Sequence, residues 1–207
     1  MAAANDGLWD WNLRTGKIFF STRWKQMLGY EENEIRDLPD EWFSRVHEDD
    51  IDRLKTMLDA YLNNDTASFA VEYRLKHFNE GYRWMLIRGL AVRDSDGTAY
   101  RIAGSQTDIT EKKLSDAKSI HDALHDTLTG LPNRTLFLDR IRQILKKRER
   151  NQNLQYAVIY IDLDRFRLVN ESLGHVHGDE LIIQTGHRLR DCVQPGDTVA
   201  RLGGDEY

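Results

Sequence analysis

The residues best equipped for chemistry sit near the end of the chain. Asp162-Leu163-Asp164 sets two carboxylates on alternating positions after a short apolar run, Tyr156 to Ile161. A hard divalent cation such as Mg²⁺ takes oxygen ligands, usually one or two carboxylates plus substrate phosphate oxygens, so the pattern suits phosphate handling. Alone, Asp-x-Asp after a strand is a weak signal. Further along come Asn170, Gly174-His175, Gly178-Asp179 and Arg201-Leu202-Gly203-Gly204-Asp205-Glu206-Tyr207. Paired glycines permit a tight hairpin and close approach of backbone to a ligand, and Asp205 and Glu206 add two carboxylates. His175 and His177 are read as structural or loop residues, since a hard cation prefers oxygen.

These groups need elements to hold them. Tyr156 to Ile161 predicts a short strand buried on both faces. Asn133 is placed to cap a helix burying Phe137, Ile141, Ile144 and Leu145, and a later helix carries Leu181, Ile182, Thr185, Leu189 and Cys192. Upstream, Trp9, Trp11 and Leu13 alternate with polar residues, and Ile18 to Phe20 returns after Arg14-Thr15-Gly16, which predicts a β-hairpin. Ser21 can cap a short helix with Trp24, Met27 and Leu28, and Ile51, Leu54, Leu58, Tyr61 and Leu62 share a helical face. Phe69, Val71, Tyr73 and Leu75 alternate in a half-buried strand, followed by strands over 82–92 and 100–109. Strands at both ends with helices between describe an antiparallel sheet with a helical insert, an α+β architecture.

All five tryptophans fall between Trp9 and Trp84, so the first part of the chain has its own aromatic core. Between the two parts, Leu114, Ala117, His121, Leu124 and Leu128 recur at three- and four-residue spacing. That stripe fits an amphipathic helix on its own domain and a dimeric coiled coil about equally.

Composition narrows the class. The 207 residues carry a formal charge of −5 with 40% apolar residues, an ordinary globular mixture whose acidic balance argues against a dedicated nucleic-acid binder. Lys146 to Arg150 reads as a solvated helix end. No apolar run approaches the roughly 18 to 20 residues of a membrane span, and Met1-Ala-Ala-Ala-Asn-Asp has no features of a secretory signal. One cysteine, Cys192, excludes an internal disulfide and fits a reducing compartment. A cytoplasmic location is expected, with any membrane tether outside this segment.

Gly7-Leu8-Trp9-Asp10-Trp11, Trp24 to Tyr30, Val46-His47-Glu48-Asp49-Asp50, Tyr82-Arg83-Trp84 and Thr107-Asp108-Ile109-Thr110 together resemble the PAS sensor fold over roughly residues 5 to 112. The resemblance does not specify a ligand. A flavin-adduct photosensor needs a cysteine beside the flavin, and Cys192 lies outside the unit. Haem needs an axial histidine, and of the two candidates His47 falls in a helix-capping stretch and His77 beside a turn, positions that favour structural roles.

Asp-x-Asp-x-Phe-x-x-x-Asn over 162–170, Gly-His-x-x-Gly-Asp over 174–179 and Gly-Gly-Asp-Glu-Tyr over 203–207, in this order, resemble the GGDEF family of diguanylate cyclases. The resemblance implies a ferredoxin-like palm related to nucleotidyl cyclases, and a reaction joining two GTP into cyclic di-GMP with release of pyrophosphate. It further implies that Asp162, the Leu163 carbonyl, Asp205 and Glu206 hold Mg²⁺ or Mn²⁺, and that Asp205 or Glu206 helps deprotonate the attacking ribose 3′-hydroxyl. Asn170 and Asp179 would read guanine, whose N1 and N2 donors suit a carboxylate. Backbone amides around Phe166 and Arg167 would cradle the β and γ phosphates. Tyr207 and Arg167 replace the family's more usual phenylalanine and lysine. Many members carry a product-binding Arg-x-x-Asp upstream of the signature. The corresponding residues are Gln194-Pro195-Gly196-Asp197, an inhibitory site with the aspartate and without the arginine.

The expected organisation is a PAS sensor over 5–110, a signalling helix over 111–128 and the N-terminal part of a GGDEF domain over 129–207. A family domain continues past its signature, so this segment is expected to be a fragment, inactive alone, with its second unit disordered or rearranged. In a bacterial parent the expected activity is PAS-regulated diguanylate cyclase, with GTP as substrate and homodimerisation through the PAS unit and helix. Two alternatives stand beside it: an inactive GTP-binding domain controlling a downstream cyclic di-GMP phosphodiesterase domain, or a sensing and dimerising module only.

Overall fold

The computed structural model of the protein describes residues 6–207, which divide at Ser115/Asp116 into two compact units. The first is built on a five-stranded antiparallel sheet: β1 (Gly7–Asn12), β2 (Lys17–Phe20), β3 (Phe69–His77), β4 (Gly81–Arg93) and β5 (Ala99–Asp108), in the order β2-β1-β5-β4-β3. Asn12 Oδ1 accepts from the amides of Arg14 and Thr15 at 3.0 and 3.1 Å, and Gly16 at φ +71° completes the β1–β2 turn. Helices α1 (Thr22–Met27), α2 (Pro39–Phe43) and α3 (Glu48–Leu62) form the insert between β2 and β3. Ser21 Oγ caps α1 by accepting from the Trp24 amide, and His47 Nδ1 caps α3 by accepting from the Asp49 amide.

The tryptophan-rich half does make a core of its own. Trp9, Trp24 and Trp42 are almost completely buried with Leu54, Tyr73, Leu75, Met85 and Ile87. Register explains how so large a residue as Trp9 fits: it lies opposite Gly104, which in turn pairs with Gly89. A Cβ at Gly89 would come within 2.9 Å of the Trp9 ring, and one at Gly104 within 1.8 Å of the Arg88 carbonyl oxygen. A polar chain runs through this interior, Trp42 Nε1 donating to Tyr73 Oη at 2.9 Å and Tyr73 Oη donating to Gln106 Oε1, while Gln106 Nε2 at its end and the nearby Trp9 Nε1 are buried without a partner among the described residues.

Helix α4 (Thr110–Leu124) crosses the division between the units. It stops short of the expected 128, because Asp126 Oδ1 accepts from both the amide and the hydroxyl of Thr129 and folds 126–130 into a turn. Among the described residues none of the stripe's helical positions is buried, with Leu114 66% exposed, while Leu128 beyond the helix packs against the core of Leu131, Ile182 and Tyr207.

The second unit adds α5 (Arg134–Arg150), α6 (Phe166–Leu173) and α7 (His175–Asp191) around a small core of Leu131, Ile182 and Tyr207. Asn133 Oδ1 caps α5 by accepting from the amides of Thr135 and Leu136. Phe137, Ile141 and Ile144 on α5 are only partly buried and Leu145 is exposed. These helices pack around a common core. The expectation of a doubly buried strand over 156–161 is corrected. The segment is extended but unpaired up to Tyr160, and Val158, Ile159 and Tyr160 are exposed. The physical reason is missing partners: among the described residues only Tyr207 makes backbone hydrogen bonds to this run, exchanging both with Ile161 at 2.8 Å.

Candidate functional site

The Ile161–Tyr207 pair sets the register of the site. One residue further, Asp162 bridges Glu206 in antiparallel fashion, so the end of the apolar run faces the glycine turn. Gly203 at φ +139° and Gly204 at φ +55° make that turn, closed by the Glu206 amide donating to the Gly203 carbonyl at 3.0 Å. Tyr207 behind it is buried beside Leu131 and Ile182, with its hydroxyl donating to the Ile182 carbonyl. Tyrosine at this position is therefore accommodated with its polar atom satisfied.

After Asp164 the chain turns through Arg165, whose φ of +60° is rare for a residue with a side chain, and enters α6 at Phe166. No side chain caps α6, and in its first turn the Phe166 amide donates to the Leu163 carbonyl at 3.2 Å and the Leu168 amide to the Arg165 carbonyl at 2.9 Å. Phe166, Arg167, Asn170 and Asp205 line one cavity of about 470 Å³ together with Glu171 and His175. Gly174 at φ +85° separates α6 from α7, so His175 begins a helix and lines the cavity instead of lying in a loop. Gly178 explains the close contact of these helices, since a Cβ there would fall 1.9 Å from Asn170 Oδ1. Asp179 follows it on the exposed side of α7 and does not line the cavity.

The carboxylates sense one another. Asp205 first, then burial, then Glu206 and Asp164 push the Asp162 carboxyl above its ordinary range. A hydrogen bond to Glu206 is the largest of the effects that raise Tyr160. The Leu163 carbonyl accepts from the Phe166 amide at 3.2 Å and keeps a second lone pair. Gln194 and Asp197 close a reverse turn, the Gln194 amide donating to Asp197 Oδ2 at 3.1 Å and the Asp197 amide to the Gln194 carbonyl at 3.0 Å.

Sequence reasoning missed what pins the glycine turn. Arg201 Nη1 donates to both Asp126 oxygens at 2.9 and 3.0 Å, while Nε and Nη2 donate to the Gly204 carbonyl at 3.0 and 2.6 Å. Burial works to raise the Asp126 carboxyl, but hydrogen bonds from Thr129 and Arg201 outweigh it and hold the group below its ordinary range. The only sequence signal was an arginine two residues before the paired glycines. In the first unit both haem candidates are committed elsewhere: His47 caps α3, and His77 Nδ1 accepts from the amides of Asn79 and Glu80 at 3.2 and 3.1 Å.

Residues 123–207 match the family described as diguanylate cyclase, GGDEF domain, and residues 17–106 match the PAS fold. Over 98 residues, 47% of this chain, the sequence is 48% identical to the bifunctional diguanylate cyclase/cyclic di-GMP phosphodiesterase MucR of Pseudomonas aeruginosa. Over 121 residues, 58% of the chain, it is 36% identical to the diguanylate cyclase TpbB of the same species. The chain spans 14% and 28% of the lengths of those two proteins. Among solved structures, a sensory box histidine kinase/response regulator from Burkholderia thailandensis aligns with a TM-score of 0.51 at 32% identity, covering 69% of this chain and 94% of that one.

The GGDEF family implies a divalent metal, and the donor set fits one. Its groups are hard oxygens, and the mutual repulsion that raises Asp162 is what a cation relieves. Among the described residues no three His, Cys, Asp or Glu side chains converge on one point, so such an ion would draw on the Leu163 carbonyl, water and substrate oxygens as well. No helix among the described residues is long and apolar enough to cross a membrane. With both matches in sequence order, the chain carries a PAS-fold domain followed by a GGDEF domain of the diguanylate cyclase family.

Proposed function

We propose that this chain is the sensing and signature-bearing part of a PAS-regulated diguanylate cyclase that condenses two GTP into cyclic di-GMP with release of pyrophosphate. The observation that carries the reading is the Asp162–Glu206 bridge beside a cavity lined by Asn170, Phe166, Arg167 and Asp205. In this reading the PAS unit covers 5–110, the signalling segment 111–128 and the catalytic part 129–207. Asp162, the Leu163 carbonyl, Asp205 and Glu206 hold Mg²⁺ or Mn²⁺, which when bound neutralises charge on the transferring phosphoryl group. Asp205 or Glu206 accepts the proton of the ribose 3′-hydroxyl. Asn170 and Asp179 bind guanine, and backbone amides around Phe166 and Arg167 receive phosphate oxygens. A second copy joins through the PAS unit and α4, and the setting is a bacterial cytoplasm. The PAS ligand is left unassigned, and an absorption spectrum of freshly purified protein tests for a chromophore.

A second reading is a GTP-binding domain without turnover that controls a phosphodiesterase domain further along. Similarity to the cyclic di-GMP phosphodiesterase PdeR of Escherichia coli, 33% identical over 129 residues, favours it. Turnover of GTP by the full-length protein separates the two. Under the first reading, Asp162→Ala lowers cyclic di-GMP formation by orders of magnitude, because the ion loses an oxygen ligand. Product formation unchanged by Asp162→Ala overturns the metal assignment, and GTP binding with no product in the native protein selects the second reading.

Product feedback is expected to be weak. Gln194 offers two neutral donors where a guanidinium fork would grip the phosphates and guanine edges of the cyclic di-GMP dianion. Replacing a charge-assisted contact with a neutral one lowers affinity by roughly one to two orders of magnitude. Titration calorimetry on the full-length protein should show tighter cyclic di-GMP binding in Gln194→Arg. Tight binding by the native protein that Asp197→Ala removes and Gln194→Arg does not improve would contradict this.

A further inference from the structure

His121 and His125 lie one turn apart at the end of α4, their rings stacked with centroids 4.1 Å apart and planes within 9°. No catalytic or guanine-reading role uses either residue. His125 Nδ1 is 3.1 Å from the His121 carbonyl oxygen. A carbonyl can only accept, so Nδ1 carries the proton and the lone pair of neutral His125 is on Nε2. His121 Nδ1 lies 3.7 Å from Asp122 Oδ1, which favours a proton on the same nitrogen and again leaves the lone pair on Nε2. The His121 side chain is 60% exposed.

We propose that His121 and His125 form a two-imidazole site for a borderline divalent transition metal, of the class of Zn²⁺, Ni²⁺ and Cu²⁺. His125 has one ring nitrogen held by a carbonyl oxygen and His121 has one beside a carboxylate, which is how metal-binding histidines are oriented. Each Nε2 lone pair lies in its ring plane, so to share an ion about 2.0 to 2.1 Å from each nitrogen the two rings, one helical turn apart, rotate out of their parallel stack about χ1 and χ2 until both lone pairs converge. The Asp126 carboxylate is taken by Arg201 and Thr129, and water completes the coordination. Imidazole donors exclude Mg²⁺ as the preferred guest and keep this site separate from the carboxylates around Asp162.

The consequence for the fold is local stiffening. The carbonyls of Ala123 and Leu124, in the same turn, accept from Asn133 Nδ2 and the Asn133 amide, both at 2.9 Å, and Asn133 also caps α5. An ion clamping residues 121 and 125 therefore fixes the turn on which the start of α5 is seated. The site would make the segment entering the GGDEF domain responsive to transition metals.

The test is titration calorimetry of the untagged 207-residue chain with ZnCl₂ and NiCl₂ in excess Mg²⁺, with circular dichroism as a fold control. One ion per chain is expected, with affinity reduced about tenfold or more in His121→Ala and His125→Ala and about tenfold in Asp122→Asn, the latter through lost ring orientation. Cu²⁺ is expected to bind more tightly than Zn²⁺ or Ni²⁺. Exposed His121 can be replaced without disturbing a core, so unchanged Zn²⁺ affinity in His121→Ala overturns the proposal even where His125→Ala fails to fold. Displacement of Zn²⁺ by excess Mg²⁺, or loss of binding only on His175→Ala or His177→Ala, overturns it as well.

Discussion

Arg201 shows how a single side chain sets the geometry of a site it does not itself chemically serve. Its guanidinium is 11% exposed and spends its donors on the Asp126 carboxylate and the Gly204 carbonyl, while its amide donates to the Pro132 carbonyl at 2.9 Å. The turn that presents Asp205 and Glu206 is thus tied to the loop ahead of α5. Arg201→Gln leaves the largely buried Asp126 charge without its partner and is expected to destabilise the second unit by about 3 kcal/mol, measured as a lowered denaturant midpoint. The pH dependence follows from the sign of the shift. Asp126 is held below its ordinary 3.8, so its stabilisation is present above that value and lost as pH falls through the lower folded value. Acid titration followed by near-ultraviolet circular dichroism should show this loss in the native chain and a smaller one in Arg201→Gln. An identical acid profile in both proteins would show that the ion pair does not hold the turn.

Among the elements, Gly178 links the packing of two helices to one side chain. It lies inside α7 where a Cβ would strike Asn170 Oδ1 on α6, the movable end of a side chain and not backbone. Gly178→Ala therefore adds helix propensity, about 1 kcal/mol, and is expected to leave stability nearly unchanged or raised. It forces Asn170 into another rotamer, so in the full-length protein the KM for GTP should rise several-fold with little change in melting temperature. An unchanged KM would remove Asn170 from the guanine site. Elements of this kind differ in how much of them the sequence discloses. The strands around Tyr73 and the hairpin at Trp9 were legible because alternation, turn residues and caps all agree within short windows. The run from Tyr156 to Ile161 has the same apolar signature, yet pairing depends on neighbours that no local window reports, and only Ile161 finds one. Arg201 was illegible for a related reason: its partner Asp126 is 75 residues away. The order of the carboxylate and glycine motifs was legible, whereas the seating of Asn170 against Gly178 needed the helix crossing.

At the scale of the molecule, the two units own cores of very different size. In the first, three tryptophans and Phe20, Leu54, Tyr73 and Ile87 are buried over a fully paired sheet. In the second, three buried residues, Leu131, Ile182 and Tyr207, anchor the helices, and Val158, Ile159 and Tyr160 stay exposed. Burial of apolar area contributes about 25 cal/mol per Å², so the second unit has much less to set against its conformational entropy. Scanning calorimetry of the 207-residue chain should therefore show two transitions, with the second unit melting at the lower temperature. Cavity-forming substitutions assign them. Leu54→Ala removes a fully buried side chain on α3 and should cost about 2 to 5 kcal/mol in the upper transition only. Leu131→Ala should act on the lower transition only, and because that core is so small it is expected to abolish the transition instead of shifting it. A single cooperative transition lowered equally by both substitutions would show that the two cores stabilise one another and that the chain unfolds as one body.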